Sequence, residues 1–470
     1  MSRFKEFTSN IALISSKKEY SYDEIDVIQK QFYECIAQRC LIFIISKNTV
    51  PSIIGYISSL LNRVVPVMLS NALTYDKYNE LILNYMPEYI WCTGAWIKEC
   101  EHYKAIKVYT LENYNLYRIE YVYGLQKQLE LYDELALLLP TSGSTGSPKY
   151  VRISYENIYS NTKAIVEYLQ ISDKDRTITT LPMNYAYGLS VINTHLYVGA
   201  TIVVTHESII KSSFWEKTKK WNVTNISGVP YTYEILKKIG FNRFHLPELK
   251  LMTQAGGHLN SDIKKYFIDM CRLQNKKFLV MYGQTEATAR MSYLPYEFLN
   301  EKTESIGIPI PDGRMWLADE EGEIIETCNK EGQLVYQGKN VSLGYALNRE
   351  DLSKGDERNG ILYTGDYGYA DNDGFFYITG RKDRQTKLFG VRMDLDGLEA
   401  DIHNRFGVSC VCLSDSNKLC VYYVGEDINY VMAEYLVELL KLPAKNVMCK
   451  KIDKIPRNAA GKVLYGELEP

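Results

Sequence analysis

Leu137-Leu-Leu-Pro-Thr-Ser-Gly-Ser-Thr-Gly-Ser-Pro-Lys-Tyr-Val-Arg-Ile-Ser154 runs from an apolar segment into small hydroxyl and glycine residues and back into an apolar segment. Gly143 and Gly146 lack the Cβ atoms that would keep backbone N–H groups from turning inward. Ser142, Ser144 and Thr145 add hydroxyl donors, and Thr141 and Lys149 close the loop, the lysine with a mobile positive charge. Such a loop is suited to phosphate. A Walker loop needs two glycines five positions apart, then Lys-Ser/Thr and a helix, and the residue five after Gly143 is Pro148. Tyr150-Val-Arg-Ile153 reads instead as a second strand, with Ser154 as N-cap of a helix that puts Ile158, Ile165 and Leu169 on one face. The order is strand, loop, strand, so no helix N-terminus is aimed at the phosphate. A flexible Gly/Ser linker is the alternative on this loop alone, and the apolar strands on both sides speak against it.

The surrounding chain, 470 residues with 46% apolar and 24% charged side chains, has room for a large core and for two to four domains. A formal charge of −3 gives no reason to expect nucleic acid or an anionic membrane as partner. Lys217-Thr-Lys-Lys220 reads as a solvated helix face. Met1-Ser-Arg-Phe-Lys-Glu6 lacks the apolar core of a signal peptide, and Ile53 to Leu61 is too short to cross a bilayer, so a cytoplasmic location is the expectation. Ten cysteines are scattered without metal-ligand spacing; Cys410 and Cys412 fall on one side of a strand and read as buried thiols.

Between residues 10 and 70, strand-like runs (Ile11 to Ile14, Leu41 to Ile45, Val64 to Met68) alternate with helical stretches (Ser21 to Ala37, Val50 to Leu61), a parallel doubly wound pattern. Similar alternation recurs from Thr177 to Gly283, with strands at Thr177 to Leu181, Thr201 to Thr205, Asn225 to Val229, Leu249 to Met252 and Phe278 to Met281. From about Gly307 the texture changes to short β segments rich in glycine, with Asn372-Asp-Gly374 as a hairpin signal. After Arg384 a small α+β piece follows. The expected fold class is α/β: two doubly wound subdomains and a small antiparallel β-barrel unit in a large N-terminal domain, residues 1–382, then a small mobile α+β domain, residues 383–470.

The wording Thr-Ser-Gly-Ser-Thr-Gly-Ser-Pro-Lys149 resembles the phosphate loop of the adenylate-forming enzymes, which include acyl-CoA synthetases, luciferase-like ligases and nonribosomal peptide adenylation domains. Four further stretches match that superfamily in order, so the resemblance covers nearly the whole chain. Tyr282-Gly-Gln-Thr-Glu286 follows a strand and so falls in a strand-end crevice. The resemblance implies that Tyr282 stacks on adenine beside Gly283, that Thr285 donates to the α-phosphate, and that Glu286 holds Mg²⁺. Gly256-Gly-His258, with Gly257 between, falls where the family lines the adenine site. Tyr363-Thr-Gly-Asp366 resembles the segment whose carboxylate accepts the ribose hydroxyls, and Arg381 is the implied second ribose contact.

Gly380-Arg-Lys-Asp-Arg-Gln-Thr-Lys-Leu-Phe-Gly-Val-Arg392 resembles the hinge, with Asp383 or Lys382 as pivot, and the loop after it. Lys387, Gly390 and Arg392 are thereby implied to line the tunnel for a phosphopantetheine thiol. Ile455-Pro-Arg-Asn-Ala-Ala-Gly-Lys-Val463 resembles the C-terminal segment that carries the adenylation lysine, here Lys462. Its physical task is to offset charge as a carboxylate attacks an anionic α-phosphate.

Leu181-Pro-Met-Asn-Tyr-Ala-Tyr-Gly-Leu189 resembles the segment flanking the acyl pocket, with two departures. Tyr185 replaces the usual acyl-CoA synthetase histidine. Ala186 stands where amino-acid adenylating domains carry the aspartate that pairs with the α-ammonium, and a buried ammonium without its partner is costly. The substrate is therefore expected to lack an α-ammonium. Tyr185, Tyr187, Val229, Gln254 and Ala255 are the candidate pocket residues; core packing is the competing reading of the two tyrosines.

The expected activity is ATP-dependent activation of a small carboxylic acid to acyl-AMP with release of pyrophosphate. Acyl transfer to the phosphopantetheine thiol of CoA or of an acyl carrier protein would follow. No carrier domain follows Pro470, so the thiol is expected in trans. The alternatives are an amino-acid ligase serving a stand-alone carrier, a non-catalytic nucleotide-binding homologue, and an ATP phosphotransferase, which the Walker spacing disfavours.

Overall fold

In the computed structural model of the chain, the described residues are 6–36, 38–98, 101–121, 130–141, 149–381, 384–388, 391–415, 418–458 and 460–468. Its contacts divide it into two compact units: Met1–Thr303 with Pro309–Arg314 and Gln337–Leu362, and Glu304–Ile308 with Met315–Tyr336 and Tyr363–Pro470.

The first unit is built on two large sheets. One has eight strands, in the order Gly344–Ala346, Tyr150–Ser154, Leu135–Pro140, Val65–Ser70, Leu41–Ser46, Tyr89–Thr93, Tyr114–Tyr121, Tyr103–Leu111. Its centre is parallel, with Leu41 opposite Val65 and Ile42 opposite Tyr89. Leu41-Ile-Phe-Ile-Ile-Ser46 is buried at every position, as a strand covered on both faces must be. The phosphate-loop strands pair antiparallel, Pro140 opposite Tyr150, as the strand-loop-strand reading expects. Ser154 caps the helix Tyr155–Leu169 through a capping box with Asn157, the side chain of each accepting from the backbone N–H of the other.

The other sheet runs Ser292–Tyr293, Lys277–Tyr282, Leu251–Gln254, Asn225–Gly228, Arg176–Ile178, Thr201–Val203, Ile11–Ile14, Glu19–Ser21. Here one expectation is corrected. Ile11–Ile14 does not join the layer of Leu41–Ser46; it pairs in parallel with Thr201–Val203, Leu13 opposite Ile202. An all-apolar strand carries the same pattern in either sheet, so its sequence could not choose. The parallel run from Arg176 to Tyr282 brings the C-terminal ends of the strands at Gly228, Gln254 and Tyr282 to one edge, where the candidate site lies.

In the second unit a four-stranded sheet, Arg314–Ala318, Gly332–Gln337, Ile361–Ala370 and Phe376–Arg381, contains the expected hairpin. Its turn is longer than two residues: Asp371 closes it, accepting from Phe375 N–H at 3.0 Å, with Gly374 at φ +81. A two-stranded hairpin, Gln385–Leu388 with Val391–Asp394, leads to the helix Leu395–Phe406, which Asp394 caps. A three-stranded sheet of Ser409–Asp415, Lys418–Val424 and Val447–Lys451 packs its apolar residues with that helix and with Asn429–Leu440. Among the described residues the cysteines are free, and no helix is long and apolar enough to cross a membrane.

Candidate active site

The strand Lys277–Tyr282 ends in a tight reversal that carries the candidate catalytic side chains. Thr285–Ala287 forms one 3-10 turn, and Thr288 and Ala289 follow with positive φ, 53° and 110°. Gly283 makes this path possible: a Cβ there would stand 2.1 Å from the Ala289 carbonyl oxygen. The loop is held from outside as well. Asn340 Nδ2 donates to the carbonyls of Ala287 (2.8 Å) and Arg290 (2.9 Å), Thr288 Oγ1 donates to Asn340 O at 2.8 Å, and Asn161 Nδ2 donates to Arg290 O at 2.9 Å. Thr285 is thereby buried in place, while Glu286 is half-buried beside it.

Glu286 Oε1 accepts from the Tyr345 hydroxyl at 2.9 Å. Two cations flank the same tyrosine: Lys149 Nζ lies 3.9 Å and Arg358 Cζ 4.7 Å from its ring centroid. Burial first, then the Glu286 carboxylate, push the Tyr345 hydroxyl up to about 12, so it stays a donor at neutral pH. Tyr345 is itself fixed by a buried arginine. Arg152, 0% exposed, donates to Tyr345 O (3.0 Å) and Leu343 O (3.1 Å), bonds Lys354 O, and pairs with Glu357 at 2.5 Å. A lysine and an arginine beside one oriented carboxylate can share the oxygens of a polyphosphate and a cation between them. Among the described residues no three acidic, histidine or cysteine side chains gather to hold a metal. A single carboxylate suits magnesium, which takes waters and phosphate oxygens as its other ligands.

On the adjoining strand ends, Tyr187, Val229 and Ala255 join Leu181 and Met281 in one buried apolar cluster, with Tyr168, Tyr185 and Tyr293 packed against it. Tyr187 hydrogen-bonds the Thr253 carbonyl at 2.9 Å, and Gln254 Nε2 donates to Gly257 O at 2.9 Å. Gly256 sits at φ +87, and a Cβ on it would meet the Tyr185 hydroxyl at 2.3 Å. Burial pushes the Tyr185 hydroxyl up to about 12, against the pull of nearby Arg290. Gly257 and His258 are exposed on the loop beyond.

In the second unit the two implied ribose residues are cross-strand partners. Asp366 is 2% exposed and Arg381 Nε donates to its Oδ1 at 2.6 Å. Lys462 lies on a tight turn organised by Asn458, whose Oδ1 accepts from the N–H of Ala460 (2.9 Å) and of Lys462 (3.0 Å). Gly461 supplies the positive φ, +78. Lys387 and Arg392 are register partners on the two-stranded hairpin. Ser142, Gly143, Ser144, Thr145, Gly146, Lys382, Asp383 and Gly390 lie outside the described residues. Asn340, Tyr345 and Arg358 were not signalled by sequence, because they come from residues 340–358, outside any of the motifs, and Arg290 stands four residues past the end of the Tyr282–Glu286 motif.

Comparison with known proteins places this geometry among relatives. Residues 38–346 match the profile described as AMP-binding enzyme. The 2-succinylbenzoate–CoA ligase of Bacillus subtilis (strain 168) is 28% identical over 362 residues, which is 73% of this chain and 71% of the relative. The oxalate–CoA ligase of Arabidopsis thaliana is 32% identical over 257 residues, 53% of this chain and 48% of the relative. Solved structures of the o-succinylbenzoate CoA synthetase from Bacillus subtilis superpose with a TM-score of 0.78 at 22% identity, covering all of this chain and 97–98% of theirs. One holds the acyl-adenylate intermediate OSB-AMP and another ATP and magnesium ion. At that identity the likeness is one of fold.

Proposed function

The chain belongs to the AMP-binding enzyme family, and from that premise we propose that it is an acid–thiol ligase using ATP and Mg²⁺. A carboxylate oxygen attacks the α-phosphorus of ATP, the bond to the β-phosphate oxygen breaks, and acyl-AMP and pyrophosphate form. A pantetheine thiol then takes the acyl group and AMP leaves. The observation that carries this reading is the strand-end cluster in which Tyr345 orients Glu286 beside Lys149 and Arg358.

In this reading the loop from Thr141 to Lys149, with Arg358, holds the β- and γ-phosphates, and Glu286 ligates the magnesium that offsets their charge. Thr285 donates to the α-phosphate. Tyr282 and Gly256 to His258 border the adenine, and Asp366, oriented by Arg381, accepts the ribose hydroxyls. Lys462 stabilises charge on the α-phosphate as it is attacked. We assign Lys462 to a C-terminal domain of residues 383–470 that pivots at Lys382 or Asp383 and then presents Lys387, Gly390 and Arg392 to the thiol. Tyr185, Tyr187, Val229, Gln254 and Ala255 border the acid. The relatives carry CoA in their names, so CoA is the first acceptor to test and an acyl carrier protein the second.

Carboxylate-dependent exchange of labelled pyrophosphate into ATP tests the proposal. Exchange with at least one acid, lost in Lys462→Ala while ATP binding survives, supports it. No exchange across a broad panel of acids overturns it.

A further inference from the structure

Arg290 is a buried cation that the reaction above leaves unused. It is 2% exposed, and its Cζ lies 3.9 Å from the centre of the Tyr187 ring. Its Nε is 3.4 Å from the Met281 sulfur, a weak acceptor. Among the described residues no carboxylate pairs with it, and Nη1 has no hydrogen-bond partner. A guanidinium offers five N–H donors and stays charged at any ordinary pH, so burying it without an anion is strongly unfavourable unless something else supplies one.

Its surroundings say where that anion comes from. Met281 and Tyr187 belong to the cluster that contains Val229 and Ala255, the candidate acyl pocket. The Arg290 backbone is clamped by Asn161 and Asn340, and the guanidinium rests on the Tyr187 ring and the Met281 sulfur. It borders a cavity of about 10 Å³ lined also by the hydroxyl-bearing Ser190, Ser227 and Thr253. That is about the room one water or one carboxylate oxygen occupies, so it can take the tip of an anion beside Arg290 but not the body of an acid. Ala186, where an ammonium-pairing acid would stand, is buried and brings no negative charge to this region.

We propose that the acid activated here is a dicarboxylate, with one carboxylate reacting at ATP and the other paired with Arg290. The proposal rests on the adenylation reading above. Matched acids separate the two: succinate against butyrate, and glutarate against pentanoate. In pyrophosphate exchange, wild-type protein should favour the diacid in kcat/KM by at least about 10-fold, the discrimination expected when a buried donor is left unpaired. Arg290→Gln should collapse that ratio mainly through KM, with Arg290→Lys between the two. Equal or reversed preference in wild type overturns the proposal, and this arm needs no variant to fold.

Binding is read separately as a melting shift without ATP. If no acid supports exchange, yet succinate or glutarate stabilises the wild type more than its monoacid and Arg290→Gln abolishes the difference, adenylation fails and the carboxylate site stands. No difference between diacid and monoacid in folded wild type removes the site.

Discussion

Replacing Gly283 by alanine tests how tightly the turn that carries Thr285 and Glu286 is wedged. The new Cβ would stand 2.1 Å from Ala289 O, 2.8 Å from Ala289 C and 2.8 Å from Arg290 Cα, all backbone atoms. Ordinary contact begins near 3.4 Å, so the chain must retreat by about 1 Å or more on the scale of carbon contacts. It cannot retreat freely, because Asn340 and Asn161 hold the carbonyls of Ala287 and Arg290. Overpacking of this kind costs about 1–3 kcal/mol, and at about 2–4 °C per kcal/mol for a large domain the melting temperature should fall by roughly 2–12 °C. Activity should suffer more than stability. Displacing Thr285 and Glu286 by about 1 Å is expected to lower kcat/KM for ATP about 100-fold. Thermal melts by circular dichroism and pyrophosphate exchange measure the two effects. A Gly283→Ala protein with wild-type melting and exchange within about two-fold of wild type would refute the wedge.

Tyr345→Phe removes the hydroxyl that orients Glu286 and should weaken Mg²⁺-ATP binding by about 10-fold, the worth of a hydrogen bond to a charged group. Because the hydroxyl titrates only near 12, the defect should be constant from pH 6 to 9 in titration calorimetry; a defect that varied with pH would contradict this role. Gly256→Ala should destabilise through the Tyr185 hydroxyl 2.3 Å away, and Tyr185→Phe in the same chain should recover part of the loss in melting temperature. His195, buried in the first unit, is lowered to about 4, chiefly by burial. Its Nδ1 faces the Val191 carbonyl and its Nε2 the Asn225 amide, an arrangement for a neutral ring. The unfolded state takes up its proton near pH 6.5 and the native state only near 4, so stability should be full above pH 6.5. It should fall by up to about 3 kcal/mol as pH drops to 4. His195→Gln should flatten that slope in urea melts at a series of pH values; an unchanged slope would discount the residue.

The continuous apolar runs were the legible part of the fold. Ile11–Ile14 and Val50–Leu61 begin and end where the sequence placed them, because each run is bounded by polar residues, Asn10 and Ser15 for the strand and the N-cap Thr49 and C-cap Asn62 for the helix. What those runs withhold is partnership: the pairing of Ile11–Ile14 with Thr201–Val203 is set by the packing of the whole chain and not by the strand's own pattern. The hairpin Tyr103–Leu111 and Tyr114–Tyr121 gave no signal, since Glu112 takes the positive φ, 52°, at which a reader expects glycine or asparagine.

The same asymmetry holds for the site. Thr285, Glu286 and Asp366 stand in contiguous motifs and become candidates from sequence alone, whereas Tyr345, Arg358 and Arg290 become candidates only through the neighbours that folding gives them. No spacing in the sequence marks Arg290 as unpaired; only the absence of a carboxylate around it among the described residues does.

Mass spectrometry of the protein incubated with ATP, Mg²⁺ and a panel of short acids tests the central claim most directly. The expected product is an acyl-adenylate, formed with one pyrophosphate, that persists until a pantetheine thiol is added and then gives AMP and thioester. Conversion of ATP to ADP and phosphate, or no adenylate with any acid, would contradict it.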